Sequence, residues 1–215
     1  MNQQELQNLR EDYSAATLSE TAINSNPIKQ FELWFNEAIE AKIHEPNAMT
    51  LATATTDGRP SARIVLLKGF DATGFSFYTN YLSRKGKEIT KNPLGAITFF
   101  WGEMQRQVRI EGTIEKLSKE QSEKYFHSRP KGSQVSALAS PQSQEITDRD
   151  VLESKTSQLE AEYADKEIPK PSYWGGYVLK PRLIEFWQGR PSRLHDRILY
   201  KKIDNKNWKK VRLAP

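Results

Sequence analysis

The chain contains no cysteine. This excludes disulfides, thiolate nucleophiles and cysteine-ligated zinc or iron–sulfur centres, and no metal is expected. It is also compatible with a reducing compartment. No stretch approaches the ~18 consecutive apolar residues of a membrane helix. The N-terminus, MNQQELQNLREDY, lacks the apolar core of a signal peptide. A cytoplasmic protein without membrane contact is the expectation. There is no GxGxxG, so no dinucleotide-binding fingerprint, and no internal repeat. The regular strand–helix alternation of a doubly wound parallel fold is missing as well. Neither sign of charge dominates: Lys+Arg 32 stand against Asp+Glu 27, a net +5. The signs are mixed along the chain, which argues against a nucleic-acid-binding arm and suits a small anionic ligand.

What is present is 215 residues with a hydrophobic fraction of 37%. That length implies one large domain or one domain with an appendage. Residues 1–26 read as the appendage and 27–215 as the domain. Asn26-Pro27 is a helix start, with Ile28, Phe31, Phe35, Ala38 and Ile39 at helical spacing to about His44. β-Prone runs follow at 49–55 and 61–68, separated by the turn Thr56-Asp57-Gly58-Arg59, and at 75–79 after Asp71-Ala72-Thr73-Gly74. Ser83 caps a short basic helix to Lys91, and strands are expected at 94–101 and 105–117. Ser118 caps a helix to about His127, 128–145 reads as loop, and Thr147 caps a charged helix to about Ala164. Short strands close the chain at 174–179, 183–187, 198–202 and 208–213. Many short strands interrupted by a few helices argue for an α+β fold: a mostly antiparallel barrel with helices packed outside.

Five clusters carry candidate chemistry. Arg63 and Lys68 bracket the apolar strand Ile64-Val65-Leu66-Leu67; cations there either snorkel or meet an anion. Ser83-Arg84-Lys85 places cations where the helix dipole favours anions, so either a bound phosphate or a solvated basic helix accounts for them. Gln105, Gln107 and Arg109 share a strand face, suited to a heteroaromatic edge or to a wet edge strand. Tyr125 to Ser133 gathers Tyr, Arg and Ser at a helix end, a phosphate-holding set or an ordinary terminus. Finally, Arg193, His195 and Arg197 would share a face if extended; three cations side by side repel unless an anion sits among them.

Glu185-Phe186-Trp187-Gln188, a four-residue spacer and Arg193-Leu194-His195-Asp196-Arg197 resemble the signature of the pyridoxine/pyridoxamine 5′-phosphate oxidase family. Arg63 to Lys68, Phe77 to Asn80, Ser83-Arg84-Lys85, Arg106-Gln107-Val108, Tyr125 to Pro130, Pro141-Gln142-Ser143, Trp174-Gly175-Gly176 and the terminal Arg212-Leu213-Ala214-Pro215 resemble further family blocks, in the family's order over nearly the whole chain. The resemblance implies a homodimeric FMN-binding split β-barrel with active sites at the dimer interface. It implies oxidation of pyridoxine 5′-phosphate or pyridoxamine 5′-phosphate to pyridoxal 5′-phosphate by hydride transfer from substrate C4′ to flavin N5. Oxygen is the acceptor, and hydrogen peroxide is released, with ammonia from the amine.

By the same resemblance, FMN would be held by Arg63, Ile64, Val65, Leu66, Leu67, Lys68, Tyr78, Thr79, Arg84, Lys85, Gln107, Gln142, Ser143, Trp187 and Arg197. Lys68, Tyr125, Arg129 and Ser133 would clamp the substrate phosphate, and Arg193, Leu194 and His195 would lie at the pyridine ring. Arg10 and Tyr13 fall where the family has an N-terminal segment that folds over the site; Ala15-Ala16 stand where Gly-Gly is common. Arg193 and His195 are the catalytic candidates. Arg193 is assigned an electrostatic role because arginine hardly deprotonates, and His195 has the better pKa for proton transfer. The alternative is a non-catalytic flavin- or pyridoxal-phosphate-binding barrel, against which the intact Arg193 and His195 argue.

Overall fold

The computed structural model describes residues 2–9, 12–204 and 207–215. Local chemistry sets the helix starts. Asn2 and Glu5 cap each other at the short helix α1, Gln3–Gln7. The Asn26 side chain accepts the Ile28 and Lys29 N–H groups, Pro27 needs no partner at the first position, and α2 runs Pro27–Glu40. It stops short of the expected His44, because Lys42 and Glu45 take left-handed φ of 56° and 46° that a helix cannot continue.

Next come strands β1, Ala48–Ala54, β2, Pro60–Leu66, β3, Gly69–Phe70, and β4, Phe75–Asn80. The Ser83 hydroxyl accepts the Gly86 N–H and starts α3, Arg84–Lys91, as predicted. Strands β5, Leu94–Trp101, and β6, Arg106–Lys116, precede α4, Lys119–Ser128, whose Ser118–Gln121 capping box is formed. The expected loop 128–145 is corrected: Lys131–Ala139 is a helix, α5. Its Ser and Gly content masked it, yet Val135 and Ala139, four apart, bury one face against Phe126, Leu159, Ile168 and Trp174, and packing overrides weak propensity. Helix α6, Asp150–Glu162, starts later than the expected Thr147 cap; Asp148 instead accepts the Val151 N–H at 3.1 Å.

The two short strands expected at 174–187 are one, β7, Trp174–Gln188, which runs through Pro181. Residues 174–179 pair antiparallel with β4 and 183–188 with β8, Asp196–Lys202, so Pro181 lies where the ladder changes partner and its missing N–H costs little. Strand β9, Trp208–Leu213, completes the sheet, whose order is β2-β1-β5-β6-β7-β4-β3 with β8 on β7 and β9 on β8.

The chain divides into two units. The first comprises Met1–Met49, Ile97–Glu111 and Pro181–Pro215, the second Thr50–Ala96 and Gly112–Lys180. In the first unit, Phe31 and Trp34 of α2 pack on Phe99 and Phe186 with ring centroids 5.1 and 5.2 Å apart. In the second unit, the path begins on β2 and ends on β3, and only Leu67 and Lys68 separate these two strands. The Lys68 N–H donates to the Ser76 carbonyl at 2.8 Å, so the sheet there curls until its ends meet. Among the described residues no helix is long and apolar enough to cross a membrane.

Candidate active site

The predicted residues fall into two groups, one in each unit. In the second unit the starting point is a buried carboxylate that the sequence reading passed over. Glu88 projects from α3 and accepts Thr53 at 2.5 Å, Ser61 at 2.6 Å and Arg84 Nε at 2.9 Å, with Arg63 Nη2 at 3.4 Å. Burial pushes its carboxyl up, but the hydrogen bonds from Ser61, Thr53 and Arg84 outweigh burial and hold it at about 2. Arg63 is thereby fixed on β2, donating also to the Leu51 carbonyl at 3.2 Å and to Thr53 at 2.6 Å. Its position four residues after Arg84 in a basic helix was the signal that could have found Glu88.

Lys85, one residue past Arg84, turns to the other side of α3. Its Nζ donates to Gln142 Oε1 at 3.0 Å and Thr79 Oγ1 at 3.3 Å, and Thr79 donates to the same Gln142 oxygen at 2.9 Å. Burial, and then the charge of Arg63, lower the Lys85 pKa. Burial also lowers that of Arg63. Arg63 and Arg84 therefore share the Glu88 carboxylate, Lys85 is held by the neutral oxygens of Gln142 and Thr79, and burial makes a positive charge costly at Arg63 and Lys85. Ser143 takes a left-handed φ of 68° and lines a cavity of about 520 Å³ together with Arg84, Lys87 and Lys91. A larger cavity of about 890 Å³, bounded by Leu138, Val151 and Tyr173, contains none of the predicted residues. Ile64 and Lys68 are exposed, Val65 and Leu66 half-buried, and Leu67 is buried.

The phosphate-clamp candidates lie in the same unit. Tyr78 and Tyr125 stack with centroids 3.8 Å apart, and both rings lie nearly parallel to Trp174. Gly176 permits this, because a Cβ there would lie 2.7 Å from the Tyr78 ring. The Arg129 guanidinium lies 4.6 Å from the Trp174 centroid, while the Arg129 carbonyl accepts Gln134 Nε2 at 2.8 Å. Burial lowers the Arg129 pKa, and its Nη1 is buried with no hydrogen-bond partner among the described residues. Leaving a buried guanidinium N–H without a partner is costly, and an anionic oxygen is the acceptor that suits it. Ser133 is half-buried at the start of α5.

In the first unit, Trp187 on β7 stands opposite Arg197 on β8. The expected shared face of Arg193, His195 and Arg197 is corrected. Pro191–Arg193 form a 3-10 turn in which Ser192 and Arg193 take left-handed φ of 54° and 62°, so only Arg197 lies on a strand. Arg197 donates to the buried Glu185 at 2.7 Å and to the Ala214 carbonyl at 3.0 Å; Arg109 donates to Glu185 at 2.7 Å. Glu185 thus answers Arg197 and Arg109, and period-2 alternation along β7 puts it on the Trp187 face. Gln107 is half-buried on β6, whereas Gln105, expected beside it, lies outside the strand with φ 54°.

His195 is half-buried, with its ring 4.6 Å from Trp187 and 5.9 Å from Tyr13. Its Nδ1 accepts the Arg190 N–H at 3.1 Å. A backbone N–H can only donate, so Nδ1 carries the lone pair and the neutral ring bears its proton on Nε2. Burial, and then the charge of Arg193, lower the His195 pKa and favour that neutral form. Arg193 and Leu194 are exposed. Arg10 lies outside the described residues.

Comparison with known proteins gives this geometry its context. Residues 35–163 match the family model described as pyridoxamine 5′-phosphate oxidase, and residues 174–215 match the pyridoxine 5′-phosphate oxidase C-terminal dimerisation region. A pyridoxine/pyridoxamine 5′-phosphate oxidase of Salinibacter ruber is 56% identical over 212 residues, 98% of this chain and 99% of the relative. One from a Cyanothece species is 54% identical over 210 residues, 98% of each. Among solved structures, PhzG from Burkholderia lata 383, in complex with tetrahydrophenazine-1-carboxylic acid, superposes with a TM-score of 0.87 at 33% identity, over 94% of this chain and 100% of that one. A pyridoxamine 5′-phosphate oxidase-related, FMN-binding protein from Nostoc punctiforme, 16% identical, shares the fold with a TM-score of 0.71 over 90% of this chain and 100% of that one. The expected split β-barrel is therefore the fold. Because the first model spans more than half of the residues and the curated relatives align nearly end to end, the chain belongs to the pyridoxine/pyridoxamine 5′-phosphate oxidase family.

Proposed function

We propose that this protein is an FMN-dependent oxidase that converts pyridoxine 5′-phosphate and pyridoxamine 5′-phosphate to pyridoxal 5′-phosphate, acting as a homodimer through residues 174–215. The observation that carries the reading is the surplus of positive charge on and beside α3: Arg63 and Arg84 share the carboxylate of Glu88, while Lys85, on the other side of the helix, meets the neutral Gln142 and Thr79. A phosphate monoester carries nearly two negative charges at neutral pH and balances that surplus. The donors fit the FMN phosphate: two guanidinium groups, an ammonium and the Thr79 hydroxyl, with Gln142 and Ser143 beside them. FMN, when bound, supplies the two-electron acceptor that these side chains cannot.

The remaining residues bind and orient the substrate. Arg129, its guanidinium 4.6 Å from the Trp174 ring centroid and its Nη1 buried, holds the substrate phosphate together with Tyr125, Ser133 and Lys68. Arg193 contributes positive charge at the pyridine ring. His195 presents Nε2–H and so donates a hydrogen bond; it can take up a proton only at Nδ1, after the Arg190 N–H has let go. Tyr13 covers Trp187 edge-on at 5.9 Å, as a lid residue would. The alcohol consumes one oxygen and gives aldehyde and hydrogen peroxide; the amine consumes one oxygen and one water and gives ammonia as well.

The test is to mix the purified protein with FMN and pyridoxamine 5′-phosphate in air and follow aldehyde and peroxide together. Equimolar appearance of both is expected. Flavin bound without either product would replace the oxidase with a binding module of the same barrel class.

A further inference from the structure

The sequence assigns nothing to Arg190, in the spacer between the two halves of the signature, yet this residue touches both His195 and the N-terminal segment. Its main-chain N–H donates to His195 Nδ1 at 3.1 Å. Its guanidinium Nη1 donates to the Ala16 carbonyl at 3.1 Å, and its Nε lies 3.5 Å from Asp196 Oδ2. We propose that Arg190 is a positioning residue that couples docking of residues 13–20 to the orientation of His195. The catalytic consequence rests on the oxidase reading above; the coupling itself does not.

Two further sets of contacts support the coupling. The first is the way the segment is held. Ala15 N–H donates to Gln105 Oε1 at 3.0 Å, Leu18 N–H donates to Asp196 Oδ2 at 3.0 Å, and the Leu18 carbonyl accepts Arg212 Nη2 at 3.0 Å. Arg212 also grips Glu20 with two bonds, at 2.6 and 2.8 Å, and Asp196 at 2.7 Å. Asp196 is thus shared by the segment, Arg190 and Arg212, and it follows His195 directly in sequence. Tyr13 packs against Gly189, where a Cβ would lie 2.5 Å from its ring. The docked position of Tyr13 therefore needs a bare residue immediately before Arg190.

The second is the loop between Arg190 and His195. Ser192 and Arg193 both hold left-handed backbone angles, which non-glycine residues adopt only when their surroundings impose them. Strand β8 anchors the loop on one side, and Arg190 anchors it on the other. Releasing the Arg190 side chain frees the segment at Ala16 and loosens the N–H that orients the imidazole. The guanidinium faces a carbonyl and a carboxylate, which makes it a strut within the protein rather than a group awaiting substrate.

The experiment compares the full-length, FMN-loaded protein with Arg190→Met and Arg190→Lys. Amide exchange is measured at Ala15 and Leu18, and KM and kcat are measured for pyridoxine 5′-phosphate. For Arg190→Met we expect amide exchange at those positions to quicken roughly tenfold, the scale of one charge-assisted hydrogen bond. KM should rise and kcat fall, while Arg190→Lys, which can still reach Ala16 and Asp196, restores most of both. Unchanged exchange in Arg190→Met would overturn the coupling. Equal losses in the Met and Lys variants would also overturn it, by showing that a positive charge at this position does not hold the segment. A parent protein that binds flavin but does not turn over would refute the oxidase reading and leave the exchange measurement to decide the coupling.

Discussion

His195 shows how much of a site one hydrogen bond decides. Burial and the neighbouring Arg193 charge both disfavour the imidazolium, so its pKa lies below the ordinary 6.5 and the neutral ring prevails at pH 7. Acid adds the second proton at Nδ1, where it meets the Arg190 N–H and breaks that bond. We therefore expect kcat/KM for pyridoxine 5′-phosphate to fall on the acid side with a midpoint below 6.5, and the limb to vanish in His195→Asn. A limb that survives in the variant would belong to the substrate phosphate, whose own second pKa is about 6, and would remove His195 from the profile. At this scale the sequence displayed cations but not their acids. Arg63, Arg84 and Lys85 were legible as a group because cations at a helix start and on an apolar strand are anomalous. Glu88 and Glu185 were not, because a carboxylate in a polar helix or beside aromatics looks ordinary until its burial is known.

Helix α3 is the element that organises the cation cluster, since it carries Arg84, Lys85 and Glu88 within five residues. Gly86 sits among them. Alanine there would gain about 1 kcal/mol of helix propensity. Its Cβ, however, would lie 2.2 Å from the Tyr81 carbonyl oxygen, a backbone atom with little room to move. Overpacking of this kind costs about 1–3 kcal/mol and outweighs the gain. Gly86→Ala is therefore expected to lower stability in urea and to weaken FMN binding, as α3 shifts off Tyr81 and carries Arg84 and Lys85 with it; a stabilised variant with unchanged affinity would contradict this. Element types were largely readable, because caps and turns are local: Asn26, Ser83 and Ser118 start their helices as predicted. The failures were tertiary. Helix α5 exists because Val135 and Ala139 find a core, and β7 survives Pro181 because its partners change there.

For the molecule as a whole, a ligand bound only by the folded chain stabilises it by mass action. FMN at about a hundred times its Kd contributes about 2.7 kcal/mol. In a chain of 215 residues each kcal/mol moves the melting temperature by about 2–4 °C, so FMN should raise it by roughly 5–10 °C. The charge argument makes this more specific. Arg63 and Arg84 share the Glu88 carboxylate, Lys85 meets neutral oxygens, and burial lowers the pKa of Arg63 and Lys85. The folded apoprotein therefore holds positive charge against its own preference, and on the proposed reading the FMN phosphate would relieve that. Riboflavin offers the same ring without the phosphate and should leave most of the shift unrealised at equal concentration. Raising the salt should narrow the gap between the two flavins, since the difference is electrostatic and only partly shielded from solvent. Thermal melts of the flavin-stripped protein with each flavin, at low and high salt, test this directly. Equal shifts for FMN and riboflavin would mean that the ring alone supplies the affinity and that the three cations serve something else.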